Sequence, residues 1–342
     1  MALKFIDGFG SYKDVTSITK RWNITSVLGS SVLETGRVNA LGNCLGFTGN
    51  KLRSKSLGNH ETYIVGFAFQ NVSLAPTANI MTILEFLDED SVQTLLRFNT
   101  STQVFSVLRG TTVLGTGTTQ ILQGAWYYIE MKVTANGTTG VINLKINTAT
   151  ELNLTAQNTI TTINNQINGI SFRGTNASGG TGKYKLDDLY ILDGSGSTNN
   201  DFLGDMKVET LSVGGPGSVT NWNPPAGYDN YQAVQNSSAS VYNSASGTDV
   251  IDTYSFNDLA KINTDIAGIM ITSSIRNSDS TSHNIKSVVR IGSTNNVDAS
   301  SQTVNSTAFQ DYNFIWETDP DTGVAWTASG INTAEFGIDL VS

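Results

Sequence analysis

The stretch WYYIEMKVTANGTTGVINLKIN, residues 126–147, restricts the fold more than any other part of the chain. Tyr127, Ile129, Met131 and Val133 alternate with Trp126, Tyr128, Glu130 and Lys132, and Ile142, Leu144 and Ile146 resume the alternation after the turn. A period of two puts each set on one side of an extended backbone, which predicts half-buried strands rather than a helix. Asn136-Gly137 between two such runs predicts a tight hairpin, since both residues tolerate positive φ.

The same pattern recurs along the chain. TYIVGFAF (62–69) is apolar on both faces, as expected of a central strand covered on both sides. TLLRF and VFSVLR predict a neighbouring pair, and similar segments follow at close, turn-separated spacing up to Ile191, the signature of a sandwich or jelly roll. The pattern restarts after Phe202 with MKVETLSV. A loop-rich stretch (214–247) with Pro216, Pro224 and Pro225 comes next, and then DTYSF, IAGIMITSSI, KSVVRIG and DYNFIWE. The expectation is an all-β chain with one sandwich over residues 1–197 and a second β-sandwich over residues 198–342. No fixed-period repeat is present, which argues against a propeller or β-helix.

Charged residues make up 14% of the 342 positions, against about 25% in ordinary globular domains. The formal net charge of −9 lacks the basic footprint of a nucleic-acid binder. No apolar run reaches the roughly 18 residues of a membrane helix, so a soluble protein without a membrane partner is expected. Cys44 is the single cysteine, which excludes an intramolecular disulfide and fits assembly in a reducing compartment.

DDLYILDGSGSTNNDFLGD (187–205) crowds five aspartates and three glycines into nineteen residues. It misses the EF-hand spacing and lacks the lysine and helix of a phosphate loop, so it reads as a last strand followed by a linker. Strand parity puts Asp188 with Tyr184, Leu186, Tyr190 and Leu192, and Asp7 with Leu3, Phe5 and Phe9. Both are expected to be buried carboxylates in need of partners, and backbone N–H groups or a structural calcium would serve. If the first and last strands lie side by side, the two would face one site.

His60 and His283 are the two histidines, and neither sits in a nucleophile or metal motif. In LEFLDED (84–90), Glu85 and Glu89 share a face, but Asp88 does not and position 87 is leucine, so the paired carboxylates of jelly-roll glycosidases are broken. The expectation is a chain that is not an enzyme and requires no cofactor. Trp126 and Tyr128, on the polar face of their strand, are candidate stacking residues for a sugar unless a neighbouring segment covers them.

FIDGFGSY with Trp22, the GFAF strand, the 126–146 hairpin and DDLYILDG resemble concanavalin A/laminin-G-like jelly rolls. The variant in structural proteins of tailed bacteriophages is similar also in NNDFLGDMKVETL and in DPDTGVAWTASGINTAEFGI, so the resemblance spans nearly the whole chain. It implies a non-enzymatic virion protein, assembled in the bacterial host cytoplasm, facing outward as a capsid decoration or tail or fibre component. Its partners would be other virion subunits and copies of itself. Asp7 and Asp188 match aspartates that hold a structural calcium in related jelly rolls. Trp316 and Trp326 are either assembly anchors or core residues of the second domain. The alternative function is a carbohydrate-binding adhesin that contacts a host-surface glycan through the first domain.

Overall fold

The computed structural model describes residues 2–24, 31–38, 42–48, 51–73, 80–174, 183–236, 238–260, 265–279 and 281–341. The chain is all-β and divides into two compact units, Met1–Glu209 and Thr210–Ser342. Residues 198–209 therefore belong with the first unit, not with the second as the linker-like sequence suggested. Sixteen basic and sixteen acidic residues lie in 1–209 and four and thirteen in 210–342, so the whole net charge of −9 falls in the second unit.

The strands of the first unit are β1 (Leu3–Asp7), β2 (Asn23–Ile24), β3 (Val32–Thr35), β4 (Asn43–Thr48), β5 (Lys51–Arg53), β6 (Thr62–Ser73), β7 (Ile80–Asp88) and β8 (Ser91–Asn99). They continue with β9 (Val104–Arg109), β10 (Thr112–Thr116), β11 (Trp126–Thr134), β12 (Gly140–Ile146), β13 (Ala149–Gln157), β14 (Gly169–Arg173) and β15 (Lys183–Leu192). One sheet runs β13-β12-β11-β6-β15-β4-β3 with β1 on β15, and the other runs β10-β9-β8-β7-β14-β5-β2. The two make a concanavalin A-like jelly-roll sandwich. Phe67 and Phe69 of the first sheet meet Phe172, Phe98 and Phe105 of the second at ring separations of 5.2–5.8 Å.

β11 and β12 pair antiparallel over Ile129–Thr134, with Ile129, Met131 and Val133 buried, as the alternation predicts. The turn is built differently. Neither Asn136 nor Gly137 adopts positive φ; instead Asn136 Oδ1 accepts the Thr138 and Thr139 N–H groups, both at 2.9 Å, in an Asx turn.

In the second unit the strands are β16 (Val213–Thr220), β17 (Val250–Phe256), β18 (Ile269–Ile275), β19 (His283–Ile291), β20 (Thr294–Val297), β21 (Gln302–Val304), β22 (Gln310–Trp316) and β23 (Glu335–Leu340). A six-stranded sheet, β16-β17-β23-β19-β20 with β21 on β19, packs against the β18–β22 pair. Phe314 of the pair meets Ile285, Ile338 and Leu340 of the sheet. Trp326 is 1% exposed and donates its indole N–H to the Trp316 carbonyl at 3.0 Å, while Trp316 donates to Ser287 Oγ at 2.9 Å. Both rings join the cluster around Val289 and Phe336. They fill the core and are not free assembly anchors.

Candidate functional site

The first and last strands of the jelly roll do lie side by side, Asp7 opposite Leu189. Their carboxylates nevertheless have separate partners. Asp7 accepts from the Phe9 N–H (2.8 Å), the Tyr12 hydroxyl (2.5 Å) and the Trp22 indole (2.8 Å), with Arg21 at 3.7 Å. Asp188 accepts from Arg37 Nε (2.9 Å) and the Val208 N–H (2.8 Å), and Arg37 Nη2 stands 2.8 Å away. Protein donors thus occupy the positions that the calcium expectation gave to an ion. Among the described residues no group of three or more His, Cys, Asp or Glu is arranged to hold a metal.

A bulge explains why strand parity misjudges this region. Asp187 pairs with Ala68 and Tyr190 with Gly66, with the register broken between them at Asp188, which has φ 49°. The extra residue turns Tyr190 to the outer side with Asp187, while Leu186 and Ile191 face the core beside Phe69 and Val65. Residues 198–209 then fold back over this outer side. The Gly204 N–H donates to Glu130 (2.8 Å), the Leu203 N–H to the Tyr190 hydroxyl (3.2 Å), and the Tyr190 hydroxyl to Glu130 (2.5 Å). Arg37 reaches Asp205 at 2.7 Å and the Met206 carbonyl at 2.6 Å.

Tyr128 lies beneath this cover. It is 1% exposed, its hydroxyl donates to the Asp188 carbonyl at 3.0 Å, and the Arg37 guanidinium sits 5.1 Å over its ring. It cannot stack a sugar. Trp126, opposite Gln70 at the strand end, is half-buried on the same face. Burial and the adjacent Asp188 charge push the Asp187 carboxyl up to about 7, against the N–H groups of Arg37 and Asp188 that favour its ionised form.

The outer face of the shorter sheet has a different character. β5, β14, β7, β8 and β9 send Leu52, Phe172, Leu84, Leu96 and Val107 into the core, so Lys51, Arg53, Arg173, Glu85, Arg97 and Ser106 point the other way, with Thr116 of β10 opposite Ser106 on the same face. Four basic side chains thus share a face with one carboxylate. Glu85 is 1% exposed and is held by Arg173 at 3.0 Å and Lys51 at 3.2 Å. Arg53 pairs with Asp90 and donates to the Glu89 carbonyl at 2.5 Å. Arg97 has its Nε buried and unpaired, and the Ser106 and Thr116 hydroxyls lie 3.0 Å apart in the rows beside it.

The neighbours of Glu85 in LEFLDED do other work. Asp88 binds the Thr162 hydroxyl (2.8 Å), the Asn164 amide (2.9 Å) and the Gln166 amide (2.7 Å), and Glu89 stands in a turn at φ 49°. Burial pushes the Asp88 carboxyl up, and those three hydrogen bonds outweigh it to hold it below its ordinary range. Basic residues spread over three strands, β5, β8 and β14, leave no local motif, so parity on each strand was the single sequence signal for this face, and register was needed to combine them.

No protein family matches the chain, and no curated protein does. Similar solved structures include an alginate lyase bound to an alginate tetrasaccharide, 13% identical over 55% of this chain and 95% of that one, with a TM-score of 0.40. A sialidase is 16% identical over 68% of this chain and 24% of that one (TM-score 0.43). Domain 4 of a GH43 extracellular arabinanase from Geobacillus stearothermophilus, in complex with arabinotriose, is 16% identical over 48% and 76% (TM-score 0.35). The expectation of a non-enzymatic chain is withdrawn on this finding: enzymes are among the structures similar to it, so the fold sets no limit on catalysis.

Proposed function

We propose that the first unit is a carbohydrate-binding module whose basic sheet face grips an acidic glycan. The observation that carries this reading is the gathering of Lys51, Arg53, Arg97 and Arg173 on one face of a unit with no net charge, with hydroxyls from Ser106 and Thr116 alongside. Guanidinium groups hold carboxylates and sulfates in bidentate pairs, and hydroxyl side chains exchange hydrogen bonds with sugar hydroxyls. Arg97 supports it most directly, because among the described residues its guanidinium has no carboxylate partner, whereas Lys51, Arg53 and Arg173 each have one. The setting we propose is the surface of a tailed-phage particle facing host glycans, with the second unit docking on other virion subunits; the sequence resemblance supports that part.

Affinity electrophoresis of the full chain through neutral and acidic polysaccharides tests the binding. Retardation by a polyuronate or sulfated glycan is expected, weakening as salt is raised and reduced about tenfold in affinity in Arg97→Gln, which leaves no partner behind. Equal retardation by neutral polymers, or none by any, would overturn the reading.

A further inference from the structure

A second feature of the first unit lies away from that face. The β9–β10 turn and residues 158–162 bound a shallow, open cleft of about 490 Å³. Arg109, Thr111 and Thr112 form one wall, Asn158 and Ile160 the other. Among the described residues nothing pairs with the Arg109 guanidinium, whereas Arg37, Arg53 and Arg173 all hold carboxylates. Thr111, Thr112 and Asn158 are exposed, and Ile160 is half-buried.

The wall at 158–162 is fixed in place. Gln93, fully buried, accepts the Thr161 N–H at 2.6 Å and the Thr162 N–H at 3.2 Å, and donates to the Thr162 hydroxyl at 2.7 Å. Thr162 in turn donates to Asp88 at 2.8 Å, and the Thr161 hydroxyl to the Val92 carbonyl at 2.8 Å. Thr159 accepts the buried Thr94 hydroxyl through its carbonyl at 2.8 Å. A wall already ordered loses little entropy when a ligand arrives.

We infer that this cleft binds a polyhydroxylated carboxylate, the chemistry of a uronic acid residue. Arg109 takes the carboxylate in its fork, Thr111, Thr112 and Asn158 meet ring hydroxyls, and Ile160 covers the C–H face of the sugar. The inference rests on the reading of the first unit as a glycan binder but uses different residues from the sheet face.

The test is a titration of the isotope-labelled full chain with glucuronate, followed by amide NMR, beside methyl glucoside as the neutral probe. Saturating shifts are expected at residues 109–112 and 158–162 in the millimolar range, about tenfold weaker for methyl glucoside and about tenfold weaker in Arg109→Gln. No saturation at those amides, equal response to the neutral probe, or an unchanged response in Arg109→Gln would each overturn it. Polysaccharide retardation without glucuronate shifts at the cleft would remove the cleft and keep the glycan reading. Glucuronate shifts without retardation by any polymer would do the reverse.

Discussion

At Gly66 an added Cβ would lie 2.2 Å from Tyr190 Cε1, a separation that atoms do not reach without something moving. The Tyr190 ring is held by Glu130 and by the Leu203 N–H, so it has no free direction in which to retreat. Gly66→Ala is expected to cost about 1–3 kcal/mol, seen as a lower urea midpoint at constant slope; an unshifted midpoint would mean that the ring yields. Asp187 gives a pH dependence. Its folded pKa, raised from 3.8 to about 7, means that the folded chain holds a proton that the unfolded chain has released. The associated stability is present below about 3.8 and is lost as pH rises toward 7. Melting temperatures are expected to fall between pH 4 and pH 7, and less in Asp187→Asn; a parallel fall in both proteins would place the titration elsewhere. Two other carboxylates show what a sequence hides at this scale. That Asp7 and Asp188 are buried follows from their apolar strand neighbours, but the donors that satisfy them come from Trp22, Arg37 and Val208, at separations that no spacing rule records.

Elements explain the cover over the long sheet. The hairpin of β11 and β12 is legible because alternation is local, yet its second face is buried by a segment more than fifty residues further on. Asp201 reaches Lys132 at 3.3 Å, and the Phe202 ring lies 4.4 Å from the Lys145 ammonium. Arg37 clamps that segment to the sheet through Asp188 and Asp205. Arg37→Ala strands the buried Asp188 carboxylate, for which a loss of about 3 kcal/mol is expected in chemical denaturation; a loss below about 1 kcal/mol would show that the Val208 N–H suffices. On the other sheet Gln93 fixes residues 161–166. In Gln93→Ala, amide exchange at Thr161 and Thr162 is expected to quicken while the β11–β12 amides keep their protection. Unchanged exchange at Thr161 would mean that the Val92 carbonyl and Asp88 suffice to hold the segment.

For the whole molecule, the uneven charge separates two physical problems. The first unit balances its charges and can concentrate cations on one face. The second, with thirteen acidic and four basic residues, repels itself, and raised salt is expected to increase its melting temperature more than that of the first. The boundary is open to a direct comparison. Residues 1–209 are expected to melt well above residues 1–197, because the shorter piece loses the donors to Glu130 and Asp188 and the carboxylate beside Arg37; equal melting would make residues 198–209 a mere linker. The sequence by itself determined the all-β class, the two units and the central place of β6, because side-chain alternation and apolar runs are properties of neighbouring residues. The tertiary structure decided which faces stay open. Burial of Tyr128 under Arg37, the enclosure of Trp326 and the assembly of Lys51 and Arg173 around Glu85 depend on register, a bulge and a returning segment, all of which join residues distant in the chain.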